Sequence, residues 1–236
     1  MLLEVENVSY SYNTRDDALR EISFSLAGGQ ILGLIGPNGS GKSTLTKLIV
    51  DLLQLRRGRI RVDRHRNSNK RAKTSSIYLA SNENMPEFLT GAEYLRFIHS
   101  LYGEPLDTAT MDRYFQRYQM RNRSGDLIED YSHGMRKKLQ LISALMLKRK
   151  LSVIDETLNG IDLDAVYSFK EDVRLLASNG RSVVLCSHDF RMLETVADRV
   201  LLLNHGILAI DSSTAAVLEQ YGSLDLLVED FIAAMR

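Results

Sequence analysis

The chain has a single cysteine, Cys186, among its 236 residues, so no intrachain disulfide can form and a reducing compartment fits best. It has no excess of either charge. Lys+Arg and Asp+Glu are both 30, which removes net charge as a pointer to a polyanionic partner. No apolar run approaches the ~18–20 residues that a membrane span needs. The opening Met1-Leu2-Leu3-Glu4-Val5-Glu6 lacks the basic start and long apolar core of a signal peptide. Internal repeats and low-complexity tracts are also missing. The expectation is a cytosolic chain whose attachment to a membrane, if any, comes through a partner. What is present is an ordinary globular balance, 44% apolar and 25% charged, in a chain long enough for one large core and a smaller lobe.

Residues 5–12 and 22–26 carry β-branched and aromatic side chains around a polar break at 13–17, which predicts two strands of a hairpin or small sheet. Ile31-Leu32-Gly33-Leu34-Ile35 is apolar at nearly every position, the pattern of a strand covered on both faces in a parallel sheet. After a glycine-rich turn, Leu45, Leu48, Ile49 and Leu52 recur at helical spacing. The runs at 151–154, 183–186 and 200–203 repeat the buried-strand signature. Between Met85 and Leu147 the text turns to amphipathic helices with interspersed aromatics, predicting a helical insert between halves of an α/β core.

Gly36-Pro37-Asn38-Gly39-Ser40-Gly41-Lys42-Ser43-Thr44 matches G-x-x-x-x-G-K-[ST] completely, and it lies between a predicted strand and a predicted helix. Glycines let the backbone turn tightly and aim N–H groups inward at phosphate oxygens. The helix starting near Lys42 points its positive end at the same anion. Lys42 would reach the β- and γ-phosphates, and Ser43 would offer its hydroxyl to Mg²⁺. Mg-ATP is therefore the expected ligand.

Leu151-Ser152-Val153-Ile154-Asp155-Glu156 reads as a buried strand ending in two adjacent acids. Acids at that end of a strand face the crevice where ligands sit in open α/β sheets. Alone, such a pair is more often a solvated turn; beside a phosphate loop, Asp155 can hold Mg²⁺ through water and Glu156 can polarise the attacking water. Tyr131-Ser132-His133-Gly134-Met135 precedes a helix, with Ser132 placed as its N-cap.

Taken in order, these segments resemble the ATP-binding subunits of ABC transporters, over residues 3–208. The phosphate loop, Tyr131–Met135 as signature, Asp155–Glu156 as Walker B, Asn159-Gly160-Ile161-Asp162 as D-loop and Ser187-His188-Asp189 as switch segment carry the likeness. The resemblance implies an α/β P-loop NTPase core with a mostly parallel sheet, an N-terminal antiparallel β subdomain and a helical signature subdomain. On that reading residues 1–76 and 151–208 form the core, 77–150 the helical subdomain and 209–236 a short helical tail. The resemblance also implies that Tyr12 stacks on adenine and that His188 contacts the γ-phosphate. In the implied head-to-tail dimer, Ser132, Gly134 and Asp162 of one subunit complete the site around Lys42 of another. Separate transmembrane subunits are the implied partners, with no nucleic acid. The form Tyr-Ser-x-Gly-Met and the short tail look like small exporter ATPases. A soluble ABC ATPase with an assembly or repair role is the alternative.

Two positions depart from the family text. Where a glutamine normally links the γ-phosphate to the helical lobe stands Ser81, too short to span that distance without a bridging water. Asn82 or Glu83 is expected to substitute, or a water to complete the γ-phosphate contact, with Glu83 or the stretch from Met85 to Phe88 contacting the partner. Packing of Met85 and Phe88 within the lobe is the alternative. Thr157 replaces the proline after the catalytic glutamate, which should loosen that turn. Residues 56–73 are rich in Arg and Lys, with Asp63 the only acid; a solvated strand pair is the plain reading and attraction to anionic lipid the sharper one.

Overall fold

The computed structural model describes residues 1–12, 17–81, 85–158 and 160–233. Asn159, Asn82 and Glu83, which the sequence singled out, lie outside that set. Two sheets and a set of helices make up the fold. The first sheet is antiparallel, in the order β2 (Asp17–Leu26), β1 (Leu3–Ser11), β4 (Arg57–Val62) and β5 (His65–Arg66). The predicted hairpin is thus half of a larger sheet, closed by a strand from beyond the phosphate loop.

The second sheet has six strands in the order β10 (Ile207–Ser213), β9 (Arg199–Asn204), β3 (Ile31–Ile35), β8 (Ser182–Cys186), β7 (Leu151–Asp155) and β6 (Ser76–Leu79). All its pairings are parallel except β10 with β9. The residues of β3, β7 and β8 are buried throughout, as continuous apolar runs require when both faces are covered. Parallel order places the carboxyl ends of β3, β7 and β8 side by side. That shared edge positions the site.

Between β6 and β7 lie α3 (Gly91–Leu101), α4 (Thr108–Arg117), a 3-10 turn at Ile128–Asp130 and α5 (His133–Met146). Their buried faces join one apolar cluster that includes Leu95, Phe115, Tyr118, Leu139 and Ile142. Earlier, α1 (Lys42–Ile49) follows β3 and α2 (Lys70–Ser75) precedes β6; later, α6 (Leu163–Ser178) and α7 (Phe190–Val196) flank β8. The tail forms α8 (Thr214–Tyr221) and α9 (Leu224–Ala233), and Leu224 and Leu227 are buried in the main core. Among the described residues no helix is long and apolar enough to cross a membrane.

Three of the nine Arg and Lys side chains in the basic stretch at 56–73 pair with acids of neighbouring segments. Arg59 pairs with Glu6, Arg61 with Glu4 and Lys73 with Asp51, while Asp63 takes Lys150. The stretch does form a strand pair, β4 with β5, as the plain reading expects.

Candidate functional site

After β3 the chain is squeezed between two neighbours, and that explains two glycines. A Cβ on Gly36, whose φ is 143°, would sit 2.1 Å from the Leu203 carbonyl oxygen. One on Gly41, at φ 105°, would sit 2.6 Å from Leu19 Cδ2 and 2.7 Å from the Ala18 oxygen. Gly41 is also the N-cap of α1 and supplies no side chain to it, so the first-turn N–H groups stay available to an anion. Lys42 is only 5% exposed, and its Nζ donates to the carbonyls of Gly36 at 2.7 Å and Pro37 at 3.1 Å. An ammonium has three donors, so one remains for a ligand. The Ser40 Oγ is buried without a partner among the described residues.

Tyr12 is 59% exposed, yet its ring is tethered. Its hydroxyl lies 3.1 Å from Thr44 Oγ1, and Tyr10 meets it edge-on with ring centroids 5.1 Å apart. An exposed aromatic face held in one orientation suits a flat heterocycle. Tyr12, Asn38, Gly39, Gly41, Lys42, Ser43, Thr44 and Glu156 line one cleft of about 280 Å³.

Asp155 ends β7 almost fully buried. Its Oδ2 accepts from Tyr78 Oη at 3.1 Å and Thr46 Oγ1 at 3.4 Å, while Oδ1 is buried with no donor. A buried carboxylate oxygen left without a donor fits a hydrated cation in a way a fully satisfied one would not. Among the described residues no cluster of three or more His, Cys, Asp or Glu could hold a metal unaided. A divalent ion here would therefore draw much of its shell from nucleotide and water. Burial pushes the Tyr78 hydroxyl well up, with the Asp155 charge adding to it, so Tyr78 stays a donor. The same two causes push up the neighbouring Cys186 thiol, which remains unreactive.

Glu156 adopts φ 53°, a left-handed conformation uncommon for this residue type. Two bonds hold it there: its N–H donates to the Cys186 carbonyl at 2.9 Å, and its Oε1 lies 2.9 Å from His188 Nε2. His188 is itself fixed by its flanks, since Ser187 Oγ accepts from the Asp189 N–H and Asp189 caps α7. Thr157 is fully buried, and its Oγ1 donates to the Ala80 carbonyl at 3.3 Å. The loosening expected from the missing proline is offset by this cross-strand bond.

The signature segment lies apart from this cleft in its own chain. Among the described residues, none of 131–134 lines it. Ser132 caps α5, accepting from the Met135 N–H at 3.3 Å, and Tyr131 donates to the Arg123 carbonyl at 2.6 Å. Gly134 packs against the Gly160 carbonyl, where an added Cβ would come within 3.2 Å. Asp162 caps α6 through the Ala165 N–H at 2.9 Å and forms an ion pair with Lys138 of α5. Ser81 is exposed at the end of β6 with no side-chain partner among the described residues. Met85, expected to contact a partner, is instead 7% exposed in the main core; Phe88 is 76% exposed.

Sequence reasoning missed Thr46, Tyr78 and Lys138. Thr46 had a signal, being a polar side chain one helical turn beyond Lys42 and Ser43 on an otherwise apolar face. Tyr78 had none, because a tyrosine in a strand reads as packing.

The sequence profile of the ABC transporter family matches residues 19–159. The uncharacterized ABC transporter ATP-binding protein YdbJ of Bacillus subtilis is 31% identical over 209 residues, covering 87% of this chain and 67% of the relative. The ABC-type transporter ATP-binding protein EcsA of the same organism is 28% identical over 97% of this chain and 94% of its own length. The linearmycin resistance ATP-binding protein LnrL, also of B. subtilis, is 31% identical over 90% of this chain and 70% of its own. A solved ATP-binding subunit of an ABC transporter superposes with a TM-score of 0.87 at 28% identity, covering 97% of this chain and 99% of that one. Fold, matched segments and relatives agree, and the chain belongs to the ABC transporter family as an ATP-binding, ATP-hydrolysing subunit.

Proposed function

We propose that the chain binds Mg-ATP at the interface of a head-to-tail dimer and powers outward transport through separate transmembrane subunits, from the cytoplasmic face. The observation that carries the dimer is the separation of parts within one chain. The phosphate loop and Glu156 share a cleft whose described lining includes no residue of 131–134. Ser132 and Gly134, at the amino end of α5, would then serve a nucleotide held by another copy, where that helix end favours phosphate.

Each residue has a role in this reading. Asn38, Gly39 and Gly41 supply backbone donors, Lys42 the charge against the β- and γ-phosphates, and Thr44 a tether for Tyr12 under the base. Mg²⁺, held by Ser43 and through water by Asp155, would supply positive charge to the phosphoryl group as it transfers. Glu156, aimed by His188, would accept the proton of the attacking water. The outward direction is supported by the relative named for linearmycin resistance, since expelling a compound is one way to resist it.

The test uses Glu156→Gln, which keeps the shape of the side chain but cannot take the proton. Hydrolysis should fall by ~10²–10⁴-fold, the contribution of a positioned base. With ATP and Mg²⁺ the variant should double its mass in light scattering, and adding EDTA should reverse this. A variant that stays monomeric at saturating ATP would remove the dimer. Direction is tested by reconstituting the chain with its membrane subunits in vesicles and following which compartment loses substrate.

A further inference from the structure

We propose that Tyr78 is a positioning residue for the divalent cation, holding the Asp155 carboxylate in the rotation that leaves Oδ1 for the cation's hydration shell. The inference rests on the reading of Asp155 as the acid that holds Mg²⁺ through water.

The geometry begins with register. Tyr78 on β6 stands opposite Val153 on β7 in a parallel pairing. Strand alternation puts Val153 and Asp155 on one face of β7, two residues apart and so about 6.6 Å along the strand. The tyrosine is long enough to bridge that step, and its hydroxyl ends 3.1 Å from Asp155 Oδ2. Thr46, on α1, gives the same oxygen a second and longer bond of 3.4 Å. Oδ1 receives nothing, although it is buried.

That asymmetry matters because the carboxylate torsion is soft and roughly two-fold. With no donor on either oxygen, the two could exchange, and the cation would meet a carboxylate of variable direction. The Tyr78 bond on Oδ2 singles out Oδ1, with the Thr46 hydroxyl shared between that oxygen and the nearer Ser43 carbonyl. Outer-sphere partners of this kind orient the groups that meet a metal and tune its affinity. The hydroxyl suits the task because it can only donate to a carboxylate that has no proton of its own. A phenylalanine in its place would fill the same space beside Val153 without that bond.

The experiment uses the full chain with a non-hydrolysable ATP analogue and Mn²⁺ as the probe, its binding followed by electron paramagnetic resonance. Tyr78→Phe, Asp155→Asn and the unaltered chain are compared, alongside analogue affinity in EDTA. Tyr78→Phe should weaken Mn²⁺ binding about tenfold, the lower end for loss of an outer-sphere partner. Its metal-free analogue affinity should not change, which separates orientation of the carboxylate from a general loosening of the site. Unchanged Mn²⁺ affinity in Tyr78→Phe, with Asp155→Asn still impaired, would overturn the proposal and leave the Asp155 reading standing. Unchanged affinity in both variants would overturn the Asp155 reading as well. A Tyr78→Phe chain that cannot fold would also overturn it, because the hydroxyl would then be holding the core together.

Discussion

Substituting Asp162 separates the two bonds its carboxylate makes in the fold. One oxygen accepts the Ala165 N–H at 2.9 Å in the first turn of α6; the other partners Lys138, whose side chain is 7% exposed. Removing a cap of this kind costs ~1 kcal/mol. Stripping a fully buried cation of its partner costs ~3–5 kcal/mol, but the Asp162 side chain is 47% exposed and water reaches the pair, so ~1–2 kcal/mol is the fitting range. Asp162→Ala should therefore lose ~2–3 kcal/mol, and Asp162→Asn, which keeps the cap, ~1–2 kcal/mol. Urea unfolding at pH 7 measures both, with the slope checked for constancy. The pH dependence has a definite sign. Burial acting alone would raise the Asp162 pKa, but the Lys138 bond and the Ala165 amide outweigh it and hold it below the usual carboxylate value. A depressed folded pKa gives stability that is complete above the unfolded value and is lost as pH falls through the folded one. The gap between the parent chain and Asp162→Asn should be full at pH 7 and close below about pH 4. If Asp162→Asn is as stable as the parent at pH 7 yet fails to hydrolyse ATP, the ion pair is idle and the carboxylate acts at the nucleotide.

Lys42→Ala should abolish tight ATP binding while the chain stays folded, by removing the charge that meets the β- and γ-phosphates; calorimetry alongside circular dichroism reads both. Gly36→Ala places a methyl 2.1 Å from a strand carbonyl at a φ that disfavours a side chain, so it should lose ~2–4 kcal/mol in urea unfolding and weaken nucleotide binding with it. An unchanged midpoint would mean the loop can shift freely. Phe88→Ala, at a side chain 76% exposed, should leave the isolated subunit's ATPase unchanged but cost ~1–3 kcal/mol of affinity for the membrane subunits, measured by co-purification and stimulated ATPase.

The buried strands were readable in advance because a strand covered on both faces has no freedom of composition: Ile31–Ile35 and Ser182–Cys186 are apolar almost end to end. The phosphate loop was readable for a similar reason, since the crowding at Gly36 and Gly41 admits one residue type. The antiparallel sheet was only half legible. Its third strand, Arg57–Val62, was legible only as part of a solvated strand pair; its arginines hide the pairing with β1, where Arg59 meets Glu6 and Arg61 meets Glu4. Met85 misled because an apolar residue beside a proline looks the same whether it faces a partner or the core. Tyr78 and Lys138 act through groups 77 and 24 residues away in sequence, Asp155 and Asp162. Such pairings depend on strand register and helix contact, which local patterns do not carry.

The serine at 81 weakens one link and leaves others around it. On the near side, the end of β6 is fastened to the acidic segment twice, by Tyr78 to Asp155 and by Thr157 to the Ala80 carbonyl. On the far side, the chain that follows is fastened to the signature helix. Arg136 pairs with Glu87 at 2.7 Å, the Ile128 N–H donates to the Leu89 carbonyl and the Glu129 N–H to that of Glu87. Arg136 also donates to the carbonyls of Ile128 and Glu129, so one guanidinium holds both sides of that junction in its planar fork. A glutamine at 81 would have been one flexible side chain between these two fastened regions. The serine there leaves β6 held to Asp155 and residues 87–89 held to α5. Each of the two regions is thus held in place by residues other than 81.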